Sequence, residues 1–308
     1  MSDWQVLAWQ GFEVEVPAEW ELSKANRDKK DGHITAHDEE GRPRLAIQWK
    51  VPKREVDLEK TLSDYEKRVG KQYKGDVTIN DEAGLVSKRK LGKKQLKTYI
   101  IESEEETNYG ALWYCQECGK AVQVQIIAYP GEHYRPVAER VLASIKDHPT
   151  DGWARFATYG LDFHVPAEYD LAEAKLLSAM LTFKFEYKEE KLAIHRWGLA
   201  SMMLERGDVP SLVWGTLVLK QKEYTAPVDP LELEFHGHPA YMWVGHPSGL
   251  LAKGKAKLFT SLRLSKSRVY VVFAWHCPES NRIFAIEGTL QGDHRGQPRA
   301  IAETIICH

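Results

Sequence analysis

The chain has 308 residues, with 43% hydrophobic and 28% charged positions and a formal net charge of −2. This is an ordinary globular composition, long enough for two cores at roughly 100–200 residues per domain. Basic and acidic residues are interspersed, which argues against a field strong enough to recruit nucleic acid or an anionic membrane surface.

Met1-Ser2-Asp3-Trp4 lacks the basic stretch and apolar run of a secretion signal. No stretch approaches the ~18 uncharged apolar residues that span a bilayer. The cytoplasm is the expected compartment. Phe12 to Val16 alternates and meets Pro17, which ends a strand because proline lacks the ladder donor. Gly32 to His37 and Arg44 to Val51 read as strands joined by the turn Asp38-Glu39-Glu40-Gly41. Asp57 then caps a helix whose residues Leu58, Leu62, Tyr65, Val69 and Tyr73 form one apolar stripe. Four extended runs follow, Leu85 to Lys90, Leu96 to Glu102, Tyr109 to Tyr114 and Ala121 to Ala128, and a helix near Tyr134 to Lys146 closes the set.

The same plan then returns. Gly11-Phe12-Glu13-Val14-Glu15-Val16-Pro17-Ala18-Glu19-Trp20-Glu21-Leu22 reappears as Gly160-Leu161-Asp162-Phe163-His164-Val165-Pro166-Ala167-Glu168-Tyr169-Asp170-Leu171. Leu45-Ala46-Ile47 answers Leu192-Ala193-Ile194, Asp57-Leu58 answers Asp208-Val209, and Trp113-Tyr114-Cys115 answers Trp275-His276-Cys277. Ordered self-similarity of this kind marks a tandem repeat. Two domains are expected, 1–149 and 153–308, separated by the turn-rich Pro149-Thr150-Asp151-Gly152. Copy two offers strands at Leu231 to Phe235, Ala240 to Val244, Val269 to Trp275 and Ile283 to Glu287, with a short last helix near Ala300.

Consecutive strands on short turns must be mainly antiparallel. The expected class is α+β: two tandem copies of an antiparallel sheet packed with helices. The opening strands Gly11 to Trp20 and Gly160 to Tyr169, with helices opening at Asp57-Leu58 and Asp208-Val209, resemble the PsbP-like fold. That family includes the photosystem subunit PsbP and the Ran-binding nuclear import factor. The resemblance implies a binding or assembly module and supplies no site residue.

The cysteines carry the main chemical signal. Cys115-Gln116-Glu117-Cys118-Gly119-Lys120 has the form of a zinc knuckle, in which two thiolates share a tetrahedral corner and glycine takes φ > 0. The matching hairpin Cys277-Pro278-Glu279-Ser280-Asn281-Arg282 keeps only the first cysteine. A complete zinc site would combine Cys115, Cys118 and Cys277 with a fourth group: His308, Cys307 or His276. The alternatives are a tight hairpin in both copies, with Gly119 and Asn281 as left-handed residues, or a disulfide or redox pair of Cys115 and Cys118. A redox pair normally opens a helix, so a hairpin disfavours it. His236-Gly237-His238 reads as a turn rather than a metal pair, and His148 and His308 as complements of helix C-termini. Ser248, in a loop before Gly249, suggests no triad, and Lys253-Gly254-Lys255 reads as a basic loop.

The central helices differ between the copies. Copy one carries Lys60, Lys67 and Arg68 there, whereas copy two carries Trp214, Leu217 and Val218 on a helix apolar nearly all round. These three are expected at an interface between the copies or between subunits. The sequence thus predicts a non-catalytic protein that binds a protein partner or self-associates, needing no cofactor; a zinc-binding protein is the alternative.

Overall fold

The computed structural model describes residues 3–72, 77–81, 83–86, 95–205, 207–248, 268–291 and 294–308. Tyr73, the end of the strand expected at Leu85 to Lys90, Gly249 and the loop Lys253-Gly254-Lys255 lie outside the described residues. The chain divides into two compact units, Met1–Gly160 and Leu161–His308. Among the described residues, no helix is long and apolar enough to cross a membrane.

In the first unit β1 (Trp4–Trp9) and β2 (Phe12–Pro17) form a hairpin through Gln10 and Gly11, both at positive φ, as a two-residue turn between right-twisted strands requires. The strand β10 (Trp153–Thr158) pairs antiparallel with β1. The main sheet holds β3 (Glu21–Ala25), β4 (Asp31–His37), β5 (Pro43–Lys50), β6 (Thr78–Asn80), β7 (Gln95–Glu102), β8 (Thr107–Tyr114) and β9 (Ala121–Ala128). Their order across the sheet is β3-β4-β5-β9-β8-β7-β6. Helix α1 (Leu58–Gln72) is capped by the Asp57 carboxylate, which accepts from the Lys60 amide at 3.1 Å. It buries Leu58, Leu62 and Val69 against Tyr99, Ile101 and Leu112. Helix α2 (Arg135–Ser144) buries Ala138, Val141 and Leu142.

The second unit begins with β11 (Leu161–Pro166), whose Phe163 meets Phe183 edge-on at 5.1 Å. Its sheet holds β12 (Asp170–Leu177), β13 (Met180–Tyr187), β14 (Glu190–Gly198), β15 (Tyr224–Thr225), β16 (Leu231–Phe235), β17 (His238–Pro247), β18 (Arg268–Cys277) and β19 (Arg282–Gln291). The order β12-β13-β14-β19-β18-β17-β15 matches that of the first unit position for position, with β16 also on β17. Three helices are short: α3 (Ala200–Met203), α4 (Val209–Thr216) and α5 (Gln297–Ala302).

This architecture corrects the α+β, PsbP-like expectation. The fold is β-rich, with antiparallel strands in three sheets and little helix. The physical reason lies in three places. The stretches holding β1, β3, β12 and β13, not assigned to any element from sequence, are strands. The strands β17, β18 and β19 each run ten residues, longer than expected. Helix α4 runs only eight residues and contains Gly215, a poor helix former.

Close packing fixes one glycine. A Cβ on Gly110 would lie 2.1 Å from the fully buried ring of Tyr99. Gly110→Ala is therefore expected to destabilise the first unit by about 1–3 kcal/mol. Gly215→Ala is the matched control, because nothing lies within 4 Å of its Cβ and it sits in α4. It should stabilise by about 0.5–1 kcal/mol. Urea unfolding of the two variants checks the opposite signs.

Candidate metal centres

The β18–β19 hairpin turns through Asn281 at φ +51, and its amide donates to the Pro278 carbonyl at 3.0 Å. Cys277 therefore closes β18 at the mouth of the turn, opposite Arg282. The neighbouring strand enters through His236 and Gly237, both at positive φ, so β17 starts at His238. The β17–β18 register, with Ala240 opposite Trp275, carries His238 alongside Cys277. The segment after α5 buries Ile305 and brings Cys307 and His308 to the same place.

One ligand atom from each of His238, Cys277, Cys307 and His308 lies within 4.8 Å of all the others. The sulfur–nitrogen separations are 3.5 Å for Cys277–His308 Nδ1, 3.3 Å for Cys307–His308 Nδ1 and 3.7 Å for Cys307–His238 Nε2. Zinc bonds of about 2.3 Å to sulfur and 2.0–2.1 Å to nitrogen, at tetrahedral angles, place such atoms about 3.5 Å apart. Three of the separations within the group thus match edges of a zinc tetrahedron.

The first unit repeats the arrangement. Its β8–β9 hairpin turns through Gly119 at φ +68, and the Gly119 amide donates to the Cys115 carbonyl at 2.8 Å. Cys115, Cys118, Asp147 and His148 gather within the same 4.8 Å limit. Asp147 and His148 follow α2, as Cys307 and His308 follow α5. The chemistry here is harder and more occupied. Cys115 Sγ lies 3.7 Å from His148 Nδ1, yet that nitrogen also meets Asp147 Oδ1 at 2.8 Å, and His148 Nε2 meets Glu117 at 3.0 Å. Asp147 accepts from the Trp113 indole at 2.7 Å, and the Lys120 ammonium donates to the Asp147 carbonyl at 3.0 Å.

The electrostatics argue against a nucleophilic thiol. Burial pushes the thiols of Cys118 and Cys307 up to about 11, and the neighbouring Asp147 carboxylate adds to the rise at Cys118. Reactive cysteines need the opposite shift and an open face. Cys115 and Cys277 are 1% and 0% exposed. Burial also depresses Lys120, whose ammonium sits 4.7 Å above the Phe12 ring. Divalent metal binding must displace the thiol protons, so affinity at these raised thiols should increase with pH.

The four metal ligands expected from sequence are divided in this way: Cys115 and Cys118 belong to the first group, Cys277 and His308 to the second. His238, Cys307, Asp147 and His148 complete the groups. From sequence alone Cys307 is only an alternative fourth ligand, and the other three are missed: His148 and His308, at matched places after the closing helices, read as helix-terminus complements and His238 as part of a turn. Of the expected interface residues, Leu217 and Val218 are buried in the second unit's own core, and Trp214 packs partly buried against it.

No family model matches the sequence, and no curated protein matches it. Two solved structures align over nearly the full length. The apo structure of the immunity protein TplEi of T6SS from Pseudomonas aeruginosa is 10% identical, with a TM-score of 0.34 over 99% of this chain and 97% of that one. The Tle4-Tli4 complex gives 10% identity and a TM-score of 0.33 over 98% and 95%. Likeness at that level carries no argument about fold or function.

Proposed function

We propose that this chain is a non-catalytic binding protein in which each unit is closed by a structural divalent metal, zinc by its ligand chemistry. The observation that carries the reading is the recurrence of a four-ligand group at the same place in both units, between the β8–β9 or β18–β19 hairpin and the segment after the last helix. A metal there ties that segment to the sheet, which the short helix α5 alone would hold weakly. The buried, proton-holding thiols favour a structural over a catalytic role, so the activity of the chain lies in binding a protein partner or another copy of itself.

Elemental analysis tests the metal. Purified protein should carry two zinc ions per chain. A chelator should remove the ion at Cys115, Cys118, Asp147 and His148 first, because His148 and Asp147 must give up mutual hydrogen bonds to serve as ligands. The ion held by two cysteines and two histidines should leave last. Protein with less than half an equivalent after growth and refolding in zinc would defeat the reading.

A further inference from the structure

The two units differ sharply at one equivalent position. In the first unit Trp49 lies between Gly32 on β4 and Val122 on β9. Its indole is 2% exposed, lies tilted against the Phe12 ring with centroids 4.6 Å apart and donates to the Lys29 carbonyl at 3.1 Å. In the second unit the same register position, between Leu181 on β13 and Phe284 on β19, holds Arg196. Arg196 is 5% exposed. Where the first unit is filled by an indole, the second has a cleft of about 420 Å³.

The ladder explains the shape of this cleft. Gly198 lies two residues beyond Arg196 on β14 and directly opposite Arg282 on β19. Residues two apart on a strand share a face, so Arg196 and Arg282 point to the same side. Gly198 between them has no side chain, and its absent Cβ leaves the floor open. The rim is formed by Ser178 of the β12–β13 turn and Ser280 of the β18–β19 turn. Ser280 Oγ is buried and has no hydrogen-bond partner among the described residues.

Two guanidiniums brought to one cleft repel each other, and burying one of them is costly. Burial, and then the charge of Arg282, hold Arg196 down at about 10. An anion seated between them would offset their mutual repulsion. Guanidinium presents a planar fork of donors that matches two oxygens of a phosphate or carboxylate. The cleft volume falls within the range of small-molecule sites.

We propose that the cleft at Arg196, Gly198 and Arg282 binds a small oxyanion, a phosphate group either free or carried on a small molecule. Arg196 supplies the bidentate fork, Arg282 a second cation and Ser280 a hydroxyl donor.

The test titrates the full chain with inorganic phosphate and with glycerol phosphate, at constant ionic strength set by chloride, following melting temperature and heat of binding. Either ligand should raise the melting temperature in a saturable way. Tighter binding of glycerol phosphate identifies a carried phosphate, and equal binding identifies the free ion; both support the site. Arg196→Met should abolish the response, and Arg282→Gln should weaken it at least tenfold. Ser280→Ala, at a partly exposed turn, guards against a folding defect in the Arg196 variant and should weaken binding several-fold. Arg135→Gln in the first unit should change nothing. A response that chloride reproduces, or that survives both arginine variants, would overturn the assignment.

Discussion

Cys277→Ser should remove one of two zinc ions and lower the melting temperature of the zinc-loaded second unit by about 8–16 °C. The size follows from linkage. A ligand at a thousand times its Kd stabilises the folded state by about 4 kcal/mol. For a unit of about 150 residues each kcal/mol moves the melting temperature by about 2–4 °C. Serine keeps the shape of cysteine but offers no thiolate. Cys277 is the ligand to change because its sulfur also meets the Cys307 carbonyl at 3.4 Å and Glu279 at 3.5 Å, at the centre of the group. The comparison must include chelated protein. If the difference comes from the metal, chelated wild type and chelated variant melt within a degree or two of each other. Equal melting temperatures of chelated and loaded wild type would show that no stabilising metal is held.

The pH dependence of the chelated protein has a definite sign. The Cys307 thiol is raised by burial to about 11, above its unfolded value near 8.5. A group raised on folding contributes stability that is complete below the unfolded pKa and is lost as pH climbs through the folded one. Chelated protein should therefore weaken between about pH 8.5 and 11. Loaded protein should not, because its sulfurs are already deprotonated and held by the ion.

A second large effect lies in the first unit. Arg44 is 1% exposed and is held from three sides. Its Nη atoms reach both oxygens of Glu132 at 2.6 and 2.7 Å, and its Nε reaches Asp38 at 2.8 Å. The guanidinium also lies over the rings of Tyr129 and Tyr134 at 4.9 and 4.7 Å. This network ties the β4–β5 turn to the segment that starts α2. Arg44→Met leaves the two carboxylates with only the half-exposed Arg42, 2.9 Å from Asp38 and 3.8 Å from Glu132, as a cation, and should cost about 3 kcal/mol, the low end for breaking a buried pair. Adding Glu132→Gln to Arg44→Met should recover part of that loss, because it removes a stranded charge; a double-mutant cycle measures the recovery. Hydrogen bonding from Arg44 holds the Glu132 carboxyl below its usual range. At Asp38 burial opposes ionisation, but the Arg42 amide and the two arginine side chains outweigh it, so that carboxyl is lowered too. Lowered carboxylates contribute stability above the unfolded pKa and lose it as pH falls through the folded one. Acid unfolding of the wild type should steepen below about pH 4, and the Arg44 variant should lose most of that dependence. An unchanged acid limb in the variant would show that the network does not govern it.

Some of this was legible in the residues alone. Alternation between apolar and polar positions placed β2, β4, β5 and β9, because a strand buried on one face must repeat every two residues, while β18 was marked by a continuous apolar run. Asp57 and Asp208 marked helix starts, since a carboxylate two or three residues ahead of unpaired amides has a local partner whatever the rest of the chain does. Gly119 and Asn281 marked the hairpin turns, because few residues tolerate positive φ. These are local rules.

What the tertiary structure alone decided is which distant residues meet. The broken apolar run of β12 carries little periodic signal, and it becomes a strand because β13, itself paired with β14, offers it a ladder. The cysteines follow the same logic. Sequence spacing shows that Cys115 and Cys118 are close, but not that Asp147 and His148 return to them after α2. Likewise His238 joins Cys277 only through the β17–β18 register, and Cys307 and His308 only through the path of the chain beyond α5. Arg196 beside Arg282 is a third case, set by Gly198 pairing across the sheet. A metal or anion site is built by residues far apart along the chain, and sheet registry with closing segments brings them within bonding distance.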